Sequence, residues 1–167
     1  MNSEETMKML ETLLISGALL GASLTVAGLA AAGPPKSAPQ MFALEAYEHV
    51  NKDQIGVYEK MGLKIDQQVK DTEPGMLVHA LTKVSENDKR AVYRWLEIFE
   101  HPEALQAHLD NPPVQAHIKK LNSGVLSGPS HIIIYADWDK AQKVYWRKTF
   151  GDILTFAPMK TGFFLKS

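Results

Sequence analysis

Between residues 41 and 136 the apolar residues change spacing in an order that few folds accept. Residues 41–49 alternate: Phe42, Leu44 and Ala46 share one side, and Glu45, Tyr47 and His49 share the other. That is the pattern of a half-buried strand. Asn51 with Gln54 three residues on has the form of a capping box. Ile55, Tyr58, Met61 or Gly62, Ile65 and Val69 then recur at helical spacing, which predicts an amphipathic helix over 51–70, ended by Glu73-Pro74-Gly75. Residues 76–84 read as a second strand and 85–89 as a polar turn. Residues 90–99 read as a third strand, rich in the aromatic and β-branched types that suit a pleated surface. His101-Pro102-Glu103 opens a second helix, with proline in its first turn. Asn111-Pro112-Pro113 interrupts that helix, because an interior proline removes a backbone hydrogen bond. Val114, Ile118, Leu121 and Val125 resume the period, Gly124 and Ser127-Gly128-Pro129 close it, and 130–136 form the last clear strand.

The resulting order, βαββαβ, predicts an α+β, ferredoxin-like domain over 41–137: a four-stranded antiparallel sheet with both helices on one face. The third strand is read as placing Tyr93, Trp95 and Phe99 on the face left bare. A bare aromatic face is an apolar patch of a kind monomers seldom expose. Two such sheets facing each other would bury it and enclose pockets, so a homodimer is expected from the pattern alone. Residues 138–167 are a C-terminal extension, with a short helix expected over 141–150 and a short strand over 153–156 or 162–165. Such a tail often reaches over a partner chain.

The first forty residues form a separate segment. Residues 13–33 carry no charge and end in small residues before Gly33-Pro34-Pro35-Lys36-Ser37-Ala38-Pro39, a helix stop and stiff linker. A stretch of that length can span a bilayer. It fits a cleaved signal peptide, with Ala30-x-Ala32 as the cleavage site, or a retained membrane anchor making membrane contact through 13–33. A third reading is a Gly/Ala-rich helix packed on the domain or a partner. Lys8 is outnumbered by Glu4, Glu5 and Glu11, which departs from an ideal signal peptide, and the flanking charges set no orientation. Export or anchoring is the expectation. The absence of cysteine suits oxidising and reducing compartments, the cytoplasm included.

The chain's chemistry is narrowed by what it lacks. With no cysteine, disulfides, thiolate catalysis and Cys-ligated metals are excluded. Net charge is −1, without the basic footprint of a nucleic-acid binder. The six histidines show no metal-ligand spacing, and no phosphate loop or serine nucleophile elbow is present. A neutral, apolar small molecule suits this balance better than a polyanion.

Three stretches taken together resemble the antibiotic biosynthesis monooxygenase (ABM) family: Glu73-Pro74-Gly75-Met76-Leu77, the strand over 90–100, and Pro102-Glu103-Ala104-Leu105-Gln106-Ala107-His108-Leu109. Members often read Glu-Pro-Gly, then a strand ending Glu-x-Trp, then Glu-Ala-x-x-x-His and a break. Here the glutamate is Glu97, the Trp position is Phe99, the histidine is His108 and the break is Asn111-Pro112-Pro113. The resemblance implies a dimeric α+β barrel. It also implies one of three activities: cofactor-independent oxygenation of quinols or anthrones, haem degradation, or processing of a signalling sugar. Departures bear on activity. The quinone-forming oxygenases have Trp where this chain has Phe99 and Asn where it has Trp95. The haem-degrading members pair Trp and His at positions that here hold His108 and Ile118. His117 is one residue off, about 100° around a helix, which disfavours haem.

The expected function is therefore a cofactor-independent monooxygenase acting on a quinol-like aromatic, with dioxygen as co-substrate. His108 and Glu97 are the candidate proton acceptors. Glu97 stands charged in an apolar strand and, once buried, needs a partner such as Arg90 or Arg94, or a raised pKa. Trp95, Tyr93 and Phe99 would form an aromatic slot, with Tyr47 and His79 pointing polar tips into it. The plainer readings are ordinary core for the aromatics and a packed or helix-capping histidine for His108. The rival function is a non-catalytic dimeric ligand-binding or interaction module tethered at a membrane. A third is an isomerase or signal-degrading enzyme on the same scaffold.

Overall fold

The structure is a computed structural model, and it describes residues 33–35, 40–158 and 160. The expected export or anchor segment over 13–33 lies outside the described residues apart from Gly33. Among the described residues no helix is long and apolar enough to cross a membrane.

The chain runs β1 (Phe42–Asn51), α1 (Ile55–Thr72), β2 (Met76–Glu86), β3 (Arg90–Phe99), α2 (Pro102–Asp110), α3 (Pro112–Lys120), β4 (His131–Tyr135), α4 (Lys140–Phe150) and β5 (Leu154–Phe156). The sheet order is β2-β3-β1-β4-β5. The first four strands pair antiparallel in the ferredoxin-like order, and β5 adds parallel to β4. The proline pair at 112–113 divides the second helix as expected: Asn111 is extended (φ −65°, ψ 120°) and Pro112 opens α3.

The start of α1 differs from the expected capping box. Asn51 remains in β1 and makes no side-chain cap bond, and a 3-10 turn over Lys52–Gln54 precedes the helix. The Asn51 amide instead donates to the carbonyls of Gly124 and Leu126, at 3.1 and 3.3 Å. It thereby ties β1 to the turn that leads into β4. Gly124 makes that turn at φ 102°, a conformation that favours glycine.

The parity of β3 is opposite to the expectation. Ala91, Tyr93, Trp95, Glu97 and Phe99 are the buried set, while Val92, Arg94, Leu96 and Ile98 are half-buried. The register places Phe42, Leu44, Ala46, Glu48 and Val50 of β1 opposite the buried set. His79 and Leu81 of β2 lie there too. This is the helix-covered face, since Tyr58 of α1 packs with Tyr93, and Ile65 and Val69 pack with Trp95. The aromatic row therefore lies beneath the helices. Helix α1 approaches closely here: a Cβ on Gly62 would meet Leu81 Cδ2 at 2.7 Å and the Trp95 ring at 3.6 Å.

The uncovered face carries Ala43, Glu45 and Tyr47 of β1, Val78 and Ala80 of β2, the even-numbered residues of β3, and Ile133 and Tyr135 of β4. Arg94 pairs with Glu45 at 3.1 Å on this face, and Tyr135 donates to Glu45 at 2.9 Å.

The tail completes its own chain's core. Trp138, Trp146, Phe150 and Leu154 join Phe42, Leu44, Phe99 and Leu105 in one buried cluster. Asp139 caps α4 by accepting from the Gln142 N–H, and the Tyr145 hydroxyl donates to Gln106 of α2 at 2.7 Å. The expected strand over 153–156 is β5, and the alternative over 162–165 lies outside the described residues. If the packed unit extends through β5, Trp146→Ala should destabilise the whole domain by ~3–5 kcal/mol, the cost of truncating a fully buried aromatic. Urea unfolding followed by fluorescence should then show one shifted transition. An unchanged midpoint would place the tail outside the cooperative unit.

Candidate active site

Between the covered sheet face and the helices lies a cavity of about 120 Å³. Its sheet wall is Leu44, Ala46, Trp95 and Ile132, and its helix wall includes Ile65, Leu105, Val114 and Ile118. These are apolar side chains, as the two helical stripes and the alternation of β1 require. Into this lining project Glu48, His79, Glu97, His108 and His117. Exposed Asn122 and half-buried Ser130 mark the side nearest solvent. Both walls come from one chain, so the pocket expected between two facing sheets is replaced by one beneath the helices.

His108 sits on α2 with Nδ1 2.8 Å from Glu73 Oε2. Both side chains are buried, at 8% and 7% exposure. Asn111 donates to the other Glu73 oxygen at 2.6 Å. The Glu-Pro-Gly turn and the proline break thus supply a carboxylate and an amide that fix one imidazole. Burial works against the charged form of His108. The hydrogen bond with Glu73 and the charges of Glu97 and Glu73 outweigh it, and the pKa rises above the usual histidine value. Burial likewise pushes the Glu73 carboxyl up, but its bonds to His108 and Asn111 and the His108 and His79 charges bring it below the carboxylate range.

Glu97 is buried in mid-strand. Arg90 and Arg94 alternate onto the opposite face, so neither is its partner, and Arg94 is held by Glu45. The group facing Glu97 is His79, with Nε2 at 4.0 Å. The His79 ring stacks on Trp95 at 4.4 Å between centroids, and its Nδ1 lies 3.1 Å from Asp66. His79 and His108 are 6.0 Å apart by ring centroid.

The remaining expected site residues lie elsewhere. Phe99 is fully buried, stacked on Phe42 at 5.2 Å, and meets His108 edge-on at 5.8 Å, so it supports the imidazole from outside the cavity. Tyr93 packs on Tyr58 and donates to Glu59 at 2.6 Å. Tyr47 is on the uncovered face, donating to Glu45 at 3.2 Å, because odd positions of β1 point away from the helices.

Three cavity features escaped the sequence reading. Glu48 continues the Phe42-Leu44-Ala46 face, and a carboxylate in that register was the available signal. The Tyr58 hydroxyl donates to Glu48 at 2.5 Å and accepts from the Trp95 indole N–H at 3.0 Å. Burial drives the Glu48 carboxyl up to about 7, with Glu97 adding to the rise and the Tyr58 and Trp95 contacts opposing it. His117 lines the cavity despite its helical phase. Burial and the charges of His79 and His108 lower it to about 4, so it is neutral at pH 7. Among the described residues no three His, Asp or Glu side chains converge to hold a metal ion. The cavity volume is near the ~150 Å³ that accommodates benzene.

By sequence, the chain matches no protein family and no curated protein. Solved structures do match. A candidate antibiotic biosynthesis monooxygenase from Caulobacter crescentus is 25% identical with a TM-score of 0.52, over 60% of this chain and 92% of that one. A Mycobacterium tuberculosis protein is 16% identical with a TM-score of 0.52, over 61% and 99%. A candidate antibiotic biosynthesis monooxygenase from Nitrosomonas europaea is 13% identical with a TM-score of 0.51, over 64% and 99%. The fold is that of the ABM proteins.

The opposed shifts of His108 and Glu73 predict a pH window. A histidine whose pKa is raised by folding stabilises fully below about pH 6.5 and loses that contribution as pH rises through its folded value. A carboxylate whose pKa is lowered stabilises above about pH 4.3 and loses it as pH falls. The stability difference between wild type and Glu73→Gln should therefore peak near pH 5–6 in urea titrations. In the same variant the His108 ring resonances should titrate at lower pH. An unmoved His108 titration would dissolve the pair.

Proposed function

We propose that the protein is a cofactor-independent monooxygenase that oxidises a small phenolic aromatic with dioxygen. The observation that carries this reading is the buried Glu73–His108 pair at the wall of an apolar cavity beside Trp95. A carboxylate that fixes Nδ1 leaves Nε2 as the nitrogen for substrate, the arrangement a general base requires.

In this reading the phenol lies against Trp95 and its O–H bond breaks, the proton passing to His108 Nε2. The phenolate transfers an electron to dioxygen, and recombination forms a ring C–O bond. His108 returns its proton to the peroxide. Loss of the ring C–H proton with cleavage of the O–O bond then releases water and leaves a quinone carbonyl. The net change is one aromatic C–H and one phenol O–H plus O2 converted to two quinone carbonyls plus H2O. The protein's part is orientation, exclusion of water and proton transfer. Glu97 and His79, facing each other beside His108, hold the local charge balance as the phenolate forms.

The uncovered sheet face supports a homodimer as a companion proposal. Its half-buried Ala43, Val78, Leu96, Ile98 and Ile133 form a patch that a second copy would cover. Placement outside the cytoplasm or at a membrane is proposed on the uncharged stretch over 13–33 alone.

Oxygen uptake by the metal-free protein with a panel of simple phenols and hydroquinones tests the activity. His108→Ala should lower kcat by ~10²–10⁴-fold, the usual worth of a general base. The wild-type acidic limb should lie above the ordinary histidine range, because His108 must be neutral to accept a proton. Saturable phenol binding without turnover above the spontaneous rate would instead identify a binding module.

A further inference from the structure

The cavity holds a second buried titratable group that the preceding scheme leaves idle. Glu48 is 6% exposed, lines the cavity, and stands in a register position that otherwise takes apolar residues. Two aromatic side chains on different elements hold it. Tyr58 of α1 donates its hydroxyl proton to Glu48 Oε2 at 2.5 Å, and Trp95 of β3 donates to the Tyr58 oxygen at 3.0 Å. Tyr58 is fully buried. This relay adds no charge partner: the other strand carboxylate lining the cavity, Glu97, repels rather than pairs. A structural role alone would be served better by an apolar residue, since a buried carboxyl without a charge partner opposes folding.

Its place relative to His108 matters more. Glu97 is opposite Leu44 in the β1–β3 register and opposite His79 in the β2–β3 register, and His108 lies 6.0 Å from His79 and 5.8 Å from Phe99 by ring centroid, Phe99 being opposite Phe42. Glu48 lies four residues beyond Leu44 on the same strand face, about 13 Å along β1 at ~3.3 Å per residue. Trp95, opposite Ala46, lies between them. One proton-transfer group thus stands at each end of an aromatic-floored cavity sized for a single ring.

We propose that Glu48, positioned by Tyr58 and Trp95, is the second proton-transfer residue, acting on the ring carbon opposite the hydroxyl bound at His108, and that the substrate is a single-ring phenol oxygenated para to its hydroxyl. This rests on the monooxygenase reading. Once the para carbon carries the hydroperoxide, Glu48 removes the proton from that carbon. The C–H electron pair becomes the second C–O bond of the carbonyl, the O–O bond breaks, and hydroxide leaves. Glu48 then gives its proton to hydroxide, forming water, and returns to the carboxylate. A carboxyl near 7 is poised for both halves of that exchange.

The test uses the full chain and phenols unsubstituted at the para position, protonated or deuterated there. Glu48→Gln should lower kcat by ~10²-fold. It should also raise the primary deuterium isotope effect well above that of wild type, because the C–H step becomes limiting. Tyr58→Phe should lower kcat with KM nearly unchanged. It should also move the Glu48 limb of the pH profile upward, since the Tyr58 bond favours the ionised carboxylate. Carbon-13 carboxyl titration of wild type, which needs no variant to fold, should show one glutamate titrating near 7 and responding to phenol. Wild-type uptake with an unaltered rate and isotope effect in Glu48→Gln would overturn the Glu48 role alone. Absence of wild-type uptake with every phenol would remove the monooxygenase reading and this role with it. A glutamate set fully ionised by pH 5 would also overturn it.

Discussion

The structure turns on which side of β3 the helices cover. With the odd positions inward, Tyr93, Trp95 and Phe99 fill the space between sheet and helices, and Glu97 is carried inside with them. Aromatic side chains bury ~150–250 Å² each, so three in a row supply most of what one strand can give a core. A slip of one residue would send them to the uncovered face and bring Arg94 under the helices. Arg94 would then lose Glu45, its partner at 3.1 Å. The buried carboxylate is thus a consequence of aromatic packing, and the site is built around that consequence.

Polar burial in this chain is concentrated. The buried polar residues are Glu48, Glu97, His108 and Gln142 among those described. Gln142 is satisfied as structure: its backbone N–H is capped by Asp139, and its side chain accepts from the Trp146 indole and donates to the Pro35 carbonyl. The other three line a single cavity. Each buried ionisable group opposes folding unless hydrogen bonds or partners offset it. A fold that gathers three of them at one apolar hollow, and pairs them only in part, has placed ionisable groups where ordinary packing would put leucine or phenylalanine.

Much of this was legible in the sequence. The order of strands and helices, the proline break and the short tail helix follow from periodicity and breakers. The resemblance pointed to His108 and Glu97, both of which lie in the cavity. The parity of β3 did not show, because both of its faces are largely apolar: Leu96 and Ile98 alternate with Trp95 and Phe99, so alternation alone gives no sign. The pairing of strands fixes it, through Leu44 opposite Glu97. Tyr47 was misplaced for a related reason, since its own strand alternation separates it from the aromatic row. Glu73 reads locally as part of a turn, and its partner His108 is thirty-five residues away. Tyr58 reads as a helix core residue, and only the tertiary fold shows its hydroxyl meeting Glu48.

The enclosure of the cavity within one chain separates assembly from chemistry. Helices α1, α2 and α3 roof it, and the tail helix and the turn that follows it pack at its edge through Phe150 and Ile153. A second subunit is not required as a wall. The uncovered face has its own incompleteness: Arg94 Nε and His49 Nδ1 are buried there without a hydrogen-bond partner. Both sit on residues that alternate outward, beside an apolar patch. Groups of that kind call for an acceptor or donor from outside the described chain. Pairing of two sheets would supply it and would stiffen β1 and β3, the strands that carry Glu48, Trp95 and Glu97. In that arrangement a dimer would bear on the cavity through the rigidity of the sheet, and the ionisable groups that line the cavity would still come from each chain alone.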